Sequence, residues 1–265
     1  MTDGPSRLPG LYVLGSALRE LRDSRGISLR QLAAKLGFNP STLSGWEKGA
    51  RPIDPAQLGW YLGYLHVAPA EYQLMMRLHG QSERTSHIES LAAGEASLQD
   101  VYLRYAVHTY EWAPRVVPDL LQTSEYAHAV LGRDSQPDDV DLEILYRQVR
   151  QLGRDPQHRH TVLLGAAALN HEFVSAEIRD EQLQHITTSA KGRISTQIVP
   201  DNLSFAGTTE PFVIYETTDG IFAVVLRHEH TTAYLSDSDT VKRYLATFYA
   251  LQRKVADYRV GAGSC

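Results

Sequence analysis

The chain has 265 residues, which is enough for one large or two ordinary domains, and its 43% share of hydrophobic residues is that of a globular protein. The net charge of −5 argues against a protein that coats nucleic acid over its whole surface, and no apolar run approaches the ~20 residues of a membrane span. The single cysteine, Cys265, has no internal partner, and no apolar segment precedes residue 11, so we expect a cytoplasmic protein without a signal peptide.

The charge is unevenly divided between the two parts of the chain. Residues 1–80, which we call the head, carry nine Lys/Arg and six Asp/Glu, a net charge of +3. The remaining residues carry seventeen and twenty-five, a net charge of −8. A mildly basic head on an acidic remainder predicts DNA contact by the head alone. Because +3 is modest, a single head should contact few phosphates and show a shallow salt dependence.

Apolar residues at helical spacing predict five short helices in the head. These helices are predicted over residues 11–24, 29–36, 40–48, 55–65 and 69–78. Gly26 ends the first helix and Gly37 ends the second, as residues that tolerate positive φ do. Asn39 or Ser41 can cap the third helix, and Pro40 suits its first turn.

The second and third helices have the features of a helix-turn-helix. In the third helix, Leu43 and Trp46 form the buried stripe. The opposite face is small and polar, with Ser41, Thr42, Ser44, Gly45 and Lys48. A helix that lies in a major groove ~12 Å wide needs such a face, because bulk is excluded and short donors reach base edges.

This stretch resembles the DNA-binding domain of the lambda-repressor-like regulators, the XRE family. The matching residues are Gly26, Ser28, Gln31-Leu32-Ala33, Leu36-Gly37, Ser41, Leu43-Ser44 and Trp46-Glu47-x-Gly49. The resemblance covers roughly the first eighty residues and implies an all-α, five-helix domain. It also implies an ion pair between Arg22 and Glu47, which would fix how the reading helix leaves the core; two solvated side chains are the alternative.

Nine residues are predicted to contact DNA: Ser28, Arg30, Asn39, Ser41, Thr42, Ser44, Gly45, Lys48 and Arg51. Hydroxyl groups bond to either type of base and therefore specify weakly. Many relatives carry arginine at the position of Gly45, so specificity here must come from Arg30 or Lys48 or from DNA shape, or else it is low. Ser28 caps the second helix, whose N-terminus can face a phosphate. Regulators of this type usually bind as dimers, so we expect a homodimer on half-sites about one helical turn apart.

Residues 81–97 are polar and small, and we interpret them as a linker, with a helical connector as the alternative. Residues 98–265, which we call the body, are predicted to be α+β, with a small, mostly antiparallel sheet and flanking helices. Helices are predicted from Leu98, after a cap at Ser124, over 139–153 and 178–190, and from a cap at Asp237 or Ser238 to about 258. Strands are predicted over 161–169, 193–199, 211–217, 221–227 and 231–235, with a hairpin turn at Asp219-Gly220. Prolines force an extended path through residues 110–123.

The body resembles that of the WhiJ-like regulators of actinobacteria. The resemblance rests on the segment Val117-Pro118-x-Leu120-Leu121-Gln122-Thr123-x-x-Tyr126-Ala127 behind an XRE-like head. Where those regulators usually have glycine, this chain has Asp119. The resemblance implies a small acidic partner protein similar to BldB, and a platform for protein interaction is the preferred interpretation of the body.

Two other functions of the body have candidate residues in the sequence. A metal-dependent enzyme would need ligands from the histidine clusters at His158/His160, His171-Glu172 and His228-Glu229-His230. The chain contains no HExxH motif, no cysteine pair and no G-x-S-x-G elbow, so we expect neither catalysis nor a cofactor. A small-molecule sensor would need a pocket between helices and sheet, for which seven aromatic residues are candidates: Tyr102, Tyr105, Tyr110, Trp112, Tyr126, Phe212 and Tyr215.

Overall fold

A computed structural model describes residues 8–90, 98–131, 157–172, 174–189, 193–203, 210–218, 220, 222–228 and 231–262. Several predicted features lie outside the described residues. These are the helix over 139–153, part of the linker, Asp219 of the hairpin turn, Glu229-His230 and Cys265. Among the described residues, no helix has the length and apolar character needed to cross a membrane.

The head consists of the five predicted helices. They are α1 (Pro9–Ser24), α2 (Leu29–Leu36), α3 (Pro40–Glu47), α4 (Pro55–Tyr64) and α5 (Pro69–Ser82). Four of them begin with proline, whose missing N–H removes no hydrogen bond at the first helical position. Gly37 ends α2 in the left-handed region, with φ at 73°. Ser28 caps α2 in a capping box with Gln31, and Asp54 forms the same arrangement with Gln57 on α4.

The body is built on a seven-stranded mixed sheet, so the α+β class is confirmed. Its strands are β1 (Ser86–Glu89), β2 (His108–Ala113), β3 (Arg159–Gly165), β4 (Ile194–Val199), β5 (Phe212–Glu216), β6 (Phe222–Arg227) and β7 (Thr232–Leu235). The spatial order is β1-β7-β6-β5-β2-β3-β4. In this order, neighbouring strands among β1, β7, β6, β5 and β2 are antiparallel to one another. The pairs β2-β3 and β3-β4 are parallel. The described helices are α6 (Leu98–Tyr105), α7 (Ser124–Leu131), α8 (Ala176–Ser189) and α9 (Ser238–Ala262).

The structure departs from the sequence interpretation at two strands and one cap. The predicted linker contains β1, which pairs with β7 and thereby becomes an edge of the sheet. The strand predicted over 161–169 ends at Gly165, and a 3-10 helix follows over Ala166–Leu169. A Cβ atom at Gly165 would lie 2.2 Å from the carbonyl oxygen of Pro114, so the two backbones touch there. Thr123, and not Ser124, caps α7 by accepting from the amide of Tyr126.

The sheet is covered on both faces. One face packs against α9, through Trp112, Phe212, Ile214 and Val224 on the sheet side. On the other face, α7 and α8 cover the parallel strands β2 to β4. The antiparallel strands on that face carry Val213, Tyr215, Ala223, Val225 and Tyr234, which form one hydrophobic cluster with α6 and the head. Head and body therefore share a continuous core.

Polar contacts reinforce this shared core at α1. The hydroxyl groups of Tyr12 and Thr218 lie 3.0 Å apart. Tyr105 donates to a carboxylate oxygen of Glu20 at 2.6 Å, and Arg104 lies 3.4 Å from the other oxygen. The first helix of the head is thus bonded to α6 and to the turn between β5 and β6.

Candidate nucleic-acid interface and a cavity in the body

The exposed end of α3 is built by a side-chain cap. Asn39 Oδ1 accepts from the backbone N–H and from the hydroxyl of Ser41, both at 2.9 Å. Leu43 is fully buried and Trp46 is 3% exposed, so the helix has one inward stripe. The cap satisfies donors at the helix start, and the stripe turns the small polar residues away from the core.

A buried ion pair holds the other end of α3. Arg22 donates from Nε and Nη2 to the two oxygens of Glu47, both at 2.7 Å, and the side chains are 7% and 3% exposed. The hydroxyl of Tyr61 donates to Glu47 Oε1 at 2.8 Å. The hydrogen bond to Glu47 raises the pKa of Arg22 above its ordinary value, and burial followed by the charge of Glu47 raises the pKa of Tyr61. Helices α1, α3 and α4 therefore meet at one buried, bidentate ion pair.

Two glycines allow α1 to touch the end of α3. A Cβ atom at Gly15 would lie 2.4 Å from the carbonyl oxygen of Trp46. Gly49 has a φ of 61°, and its Cβ would lie 2.6 Å from the carbonyl oxygen of Leu11. Sequence reasoning missed the role of Gly15, whose one visible signal was a glycine in the middle of a predicted helix.

The predicted DNA-contacting residues differ in exposure. Ser28, Arg30, Asn39, Ser41, Lys48 and Arg51 are exposed, whereas Thr42, Ser44 and Gly45 are partly buried. Arg51 and Gly45 are brought together, because the amide of Arg51 donates to the carbonyl of Gly45 at 3.2 Å. A Cβ atom at Gly45 would lie 3.4 Å from Arg51 Cβ. The base of the Arg51 side chain thus lies next to Gly45.

Lys48 lies in a different setting from the polar residues of α3. It lines an open cleft of about 610 Å³ between head and body, together with Tyr12, Tyr105 and Thr218. Ser28 is engaged by its capping box, where its hydroxyl accepts from Gln31 N at 3.3 Å. Of the residues predicted to contact DNA, Ser28 is therefore partly engaged within the fold, and Lys48 faces the body.

An exposed aromatic residue was not anticipated as part of this surface. Trp60 on α4 is 61% exposed, and its ring stacks on Phe38 with centroids 6.2 Å apart. The signal was present in the sequence, because the apolar stripe of α4 runs through Leu58, Tyr61 and Leu62 and leaves Trp60 off it.

The body contains a cavity of about 350 Å³ on the sheet face that also receives the head. Its wall is the segment over residues 113–119, and its floor includes Val213 and Val225. This segment bends at residues 114–116 and leads into a 3-10 helix over Asp119–Leu121, so the extended path predicted through residues 110–123 is interrupted there. Two polar pairs border it. His160 Nε2 lies 2.8 Å from Glu111 Oε2, and Arg227 Nη1 lies 3.4 Å from Asp119 Oδ2. Sequence reasoning had named His160 as a candidate metal ligand and Asp119 as a departure from the WhiJ-like pattern. It did not predict their pairing with Glu111 and Arg227, because the partners are far apart in the chain.

The seven aromatic residues predicted to line a pocket are divided among several places. Trp112 and Phe212 line this cavity. Tyr102 and Tyr215 belong to the core shared with the head, and Tyr110 packs edge-on against Phe248 of α9. The remaining two are Tyr105, bonded to Glu20, and Tyr126, whose hydroxyl donates to the carbonyl of Ala168 at 2.7 Å.

Three of the histidines predicted as candidate metal ligands, His158, His160 and His171, have hydrogen-bonding partners in the protein. His158 bonds to the Thr109 hydroxyl at 2.9 Å and to the Ala106 carbonyl at 2.8 Å. His171 bonds to the Arg115 carbonyl. Within the described ranges, no group of three or more His, Cys, Asp and Glu side chains is placed to hold a metal ion.

Comparison with known proteins assigns both parts of the chain. Residues 13–74 match the family described as Helix-turn-helix domain. Similar solved structures include the restriction-modification controller protein C.AhdI from Aeromonas hydrophila, at 32% identity over 23% of this chain and 94% of that chain, with a TM-score of 0.22. Two structures of the clp gene regulator ClgR from Corynebacterium glutamicum show 25% and 28% identity, cover 28% and 29% of this chain and 94% and 84% of theirs, and give TM-scores of 0.24.

No curated protein matches the chain. Residues 102–257 match the Domain of unknown function (DUF5753), and because this match spans more than half of the chain, the protein belongs to the DUF5753 family and carries a helix-turn-helix domain before that region.

Proposed function

We propose that the protein is a transcriptional regulator that binds double-stranded DNA by inserting α3 into the major groove. The observation that carries this proposal is the mounting of α3. Its polar residues point away from the core, while the Arg22–Glu47 pair and Trp46 hold its other side. A reading helix must present short donors on a rigid support, and this arrangement provides both. The protein would act in the cytoplasm, at the nucleoid.

The residues have different proposed roles. Ser41, Thr42 and Ser44 contact base edges from the first turns of α3. Arg51, whose Cβ lies next to Gly45, makes a bidentate contact to guanine. Gly45 on α3 has no side chain that could make this contact. Arg30 and the N-terminus of α2 contact the phosphate backbone, which sets register without specifying sequence.

A carboxylate in α3 tests this docking. Genomic fragments bound by the full chain would be selected first, and the affinity for the best fragment would then be measured by fluorescence anisotropy at physiological salt. We expect Ser41→Glu to abolish detectable binding, because it places a negative charge against the phosphates. Ser195→Glu, an equal charge change at an exposed position on β4, should bind normally. A Ser41→Glu protein with full affinity would refute the proposed docking face.

We also propose that the protein binds as a homodimer, because one head with a net charge of +3 makes few phosphate contacts. Footprinting should show two half-sites about one helical turn apart. Light scattering in solution should give twice the 29.6 kDa chain mass. A monomeric mass together with a single protected half-site would contradict this proposal.

For the body, the cavity favours regulation by a small molecule. It lies on the sheet face that shares a core with the head, and its floor residues Val213 and Val225 belong to that core. The competing proposal, from the resemblance to WhiJ-like regulators, is a small acidic partner protein. The acidic charge of the residues after the head does not complement such a partner. A thermal shift of the purified chain with metabolites, compared with capture of a co-expressed partner, separates the two.

A further inference from the structure

We propose that the cavity in the body selects a small, largely apolar organic amine, whose ammonium group lies between Glu111 and Asp119. This inference rests on the proposed sensing function of the body and names the chemical class of its ligand. It follows from the shape of the cavity, from the balance of charge along its border and from the residue at position 119.

The lining is mostly apolar and limits the size of the ligand. The wall comes from residues 113–119, which include Pro114 and Pro118, and Val130 of α7 adjoins it. Val213 and Val225 form the floor. A volume of about 350 Å³ is at the small end of the ~300–1,000 Å³ range of ligand pockets, so a compact ligand with one polar group fits best.

Charge within the cavity is negative. Glu111 and Asp119 supply two carboxylates, and their side chains are 19% and 28% exposed. Arg227 supplies one guanidinium. Two further charged residues at the border, Arg115 and Glu210, are both exposed and cancel. A ligand cation therefore gains attraction that a ligand anion does not.

Arg227 is occupied by the protein's own carboxylates. Asp119 lies 3.4 Å from Arg227, whose side chain is 46% exposed, and the charge of Asp119 raises the pKa of Arg227. A carboxylate ligand would have to displace Asp119 from this guanidinium. An ammonium ligand leaves the Asp119–Arg227 pair in place, because its positive charge balances the remaining carboxylate, Glu111.

Glu111 is held as an acceptor. His160 is 3% exposed, and its Nε2 lies 2.8 Å from Glu111 Oε2. Among the described residues, no partner accompanies the buried Nδ1 atom of His160. The contact with His160 Nε2 fixes the position of the Glu111 carboxylate at the border of the cavity.

Position 119 determines the preference for charge. Asp119 is the carboxylate that pairs with Arg227, whose Nη1 lies 3.4 Å from Asp119 Oδ2. Replacing Asp119 with glycine would release Arg227, which could then pair with a carboxylate ligand through a bidentate contact. The sign of the preferred ligand charge should therefore follow this one residue.

Calorimetry with matched ligands tests the proposal on the full chain without DNA. The probes are hexylamine against hexanoate and phenethylamine against 3-phenylpropionate, with hexanol as the neutral reference. We expect the native chain to bind each amine at least about tenfold more tightly than its carboxylate counterpart, which corresponds to ~1.4 kcal/mol. Asp119→Gly should reverse the preference, and Glu111→Gln should weaken amine binding. The matched control Glu181→Gln, at an exposed position of α8 that does not line the cavity, should change neither.

Each outcome has one meaning. A native preference for carboxylates, or a preference unaffected by Asp119→Gly in a variant with a normal melting curve, would overturn the amine assignment while leaving the sensing function standing. Absence of binding by all five probes would overturn both. Equal binding of amines and hexanol would show that the cavity reads only apolar surface, which also contradicts the proposal.

Discussion

Removing either member of the buried pair Arg22–Glu47 should destabilise the protein far more than removing both. Arg22→Met leaves a carboxylate that is 3% exposed with one described donor, the hydroxyl of Tyr61. Glu47→Leu leaves a guanidinium that still donates to the Ile27 carbonyl and lies beside Asp23. Breaking a buried pair costs about 3–5 kcal/mol, so we expect Arg22→Met near the upper end and Glu47→Leu near the lower end. The double variant leaves no uncompensated charge and should cost less than either single change.

Urea denaturation followed by circular dichroism at pH 7 measures all four proteins of this cycle. Native proteins are stable by ~5–15 kcal/mol, so a loss of ~5 kcal/mol is large enough to measure. The coupling free energy should reach about 3 kcal/mol or more. Additive losses in the double variant would show that the two side chains act independently, and this would refute the role assigned to the pair.

Two further predictions concern pH and backbone packing. Burial lowers the pKa of His87, which stacks on Tyr234, to about 4, below its unfolded value of about 6.5. The unfolded chain therefore binds a proton that the folded chain does not, and stability should fall by up to about 3 kcal/mol as the pH drops from 6.5 to 4. Urea titrations at pH 7 and 4.5 measure how far the free energy of unfolding falls between the two pH values. This fall should be smaller in His87→Phe than in the native chain, and an equal fall would contradict the assignment to His87. Gly15→Ala should lower stability by about 1–3 kcal/mol because its Cβ meets the Trp46 carbonyl, whereas Gly63→Ala, in open space within α4, should raise it by about 0.5–1 kcal/mol; thermal melts in which the two variants shift together would contradict this reasoning.

The head could be predicted from sequence because its signals are local. Each helix start carries its own proline or capping residue, and Gly37 marks the turn. The cap that sequence left open between Asn39 and Ser41 is Asn39, because its side chain reaches the Ser41 amide. The contact of Gly15 with the end of α3 could not be predicted, since it depends on how two helices cross and not on either helix alone.

The body was harder to predict because its decisive contacts are non-local. Strand β1 has four residues and becomes a strand only through pairing with β7, about 145 residues later in the chain. The predicted mostly antiparallel sheet did not anticipate the parallel neighbours of β3, since direction is not encoded in alternation. The cavity combines Glu111, Asp119 and Arg227 from three separate segments, and only the strand order β6-β5-β2 brings them together.

Helix α1 is the element through which a change in the body would reach the reading helix. On one side it contacts the body, through Tyr12 with Thr218 and through Glu20 with Tyr105. On the other side it holds α3, through the Arg22–Glu47 pair and the close backbone contact at Gly15. Both sets of contacts leave little room for adjustment, because a packed core and a bidentate buried pair resist small displacements. A shift of α6 or of the turn after β5 would therefore move α1 and α3 together. In the proposed function, this makes the orientation of α3 relative to the body the quantity that an effector controls.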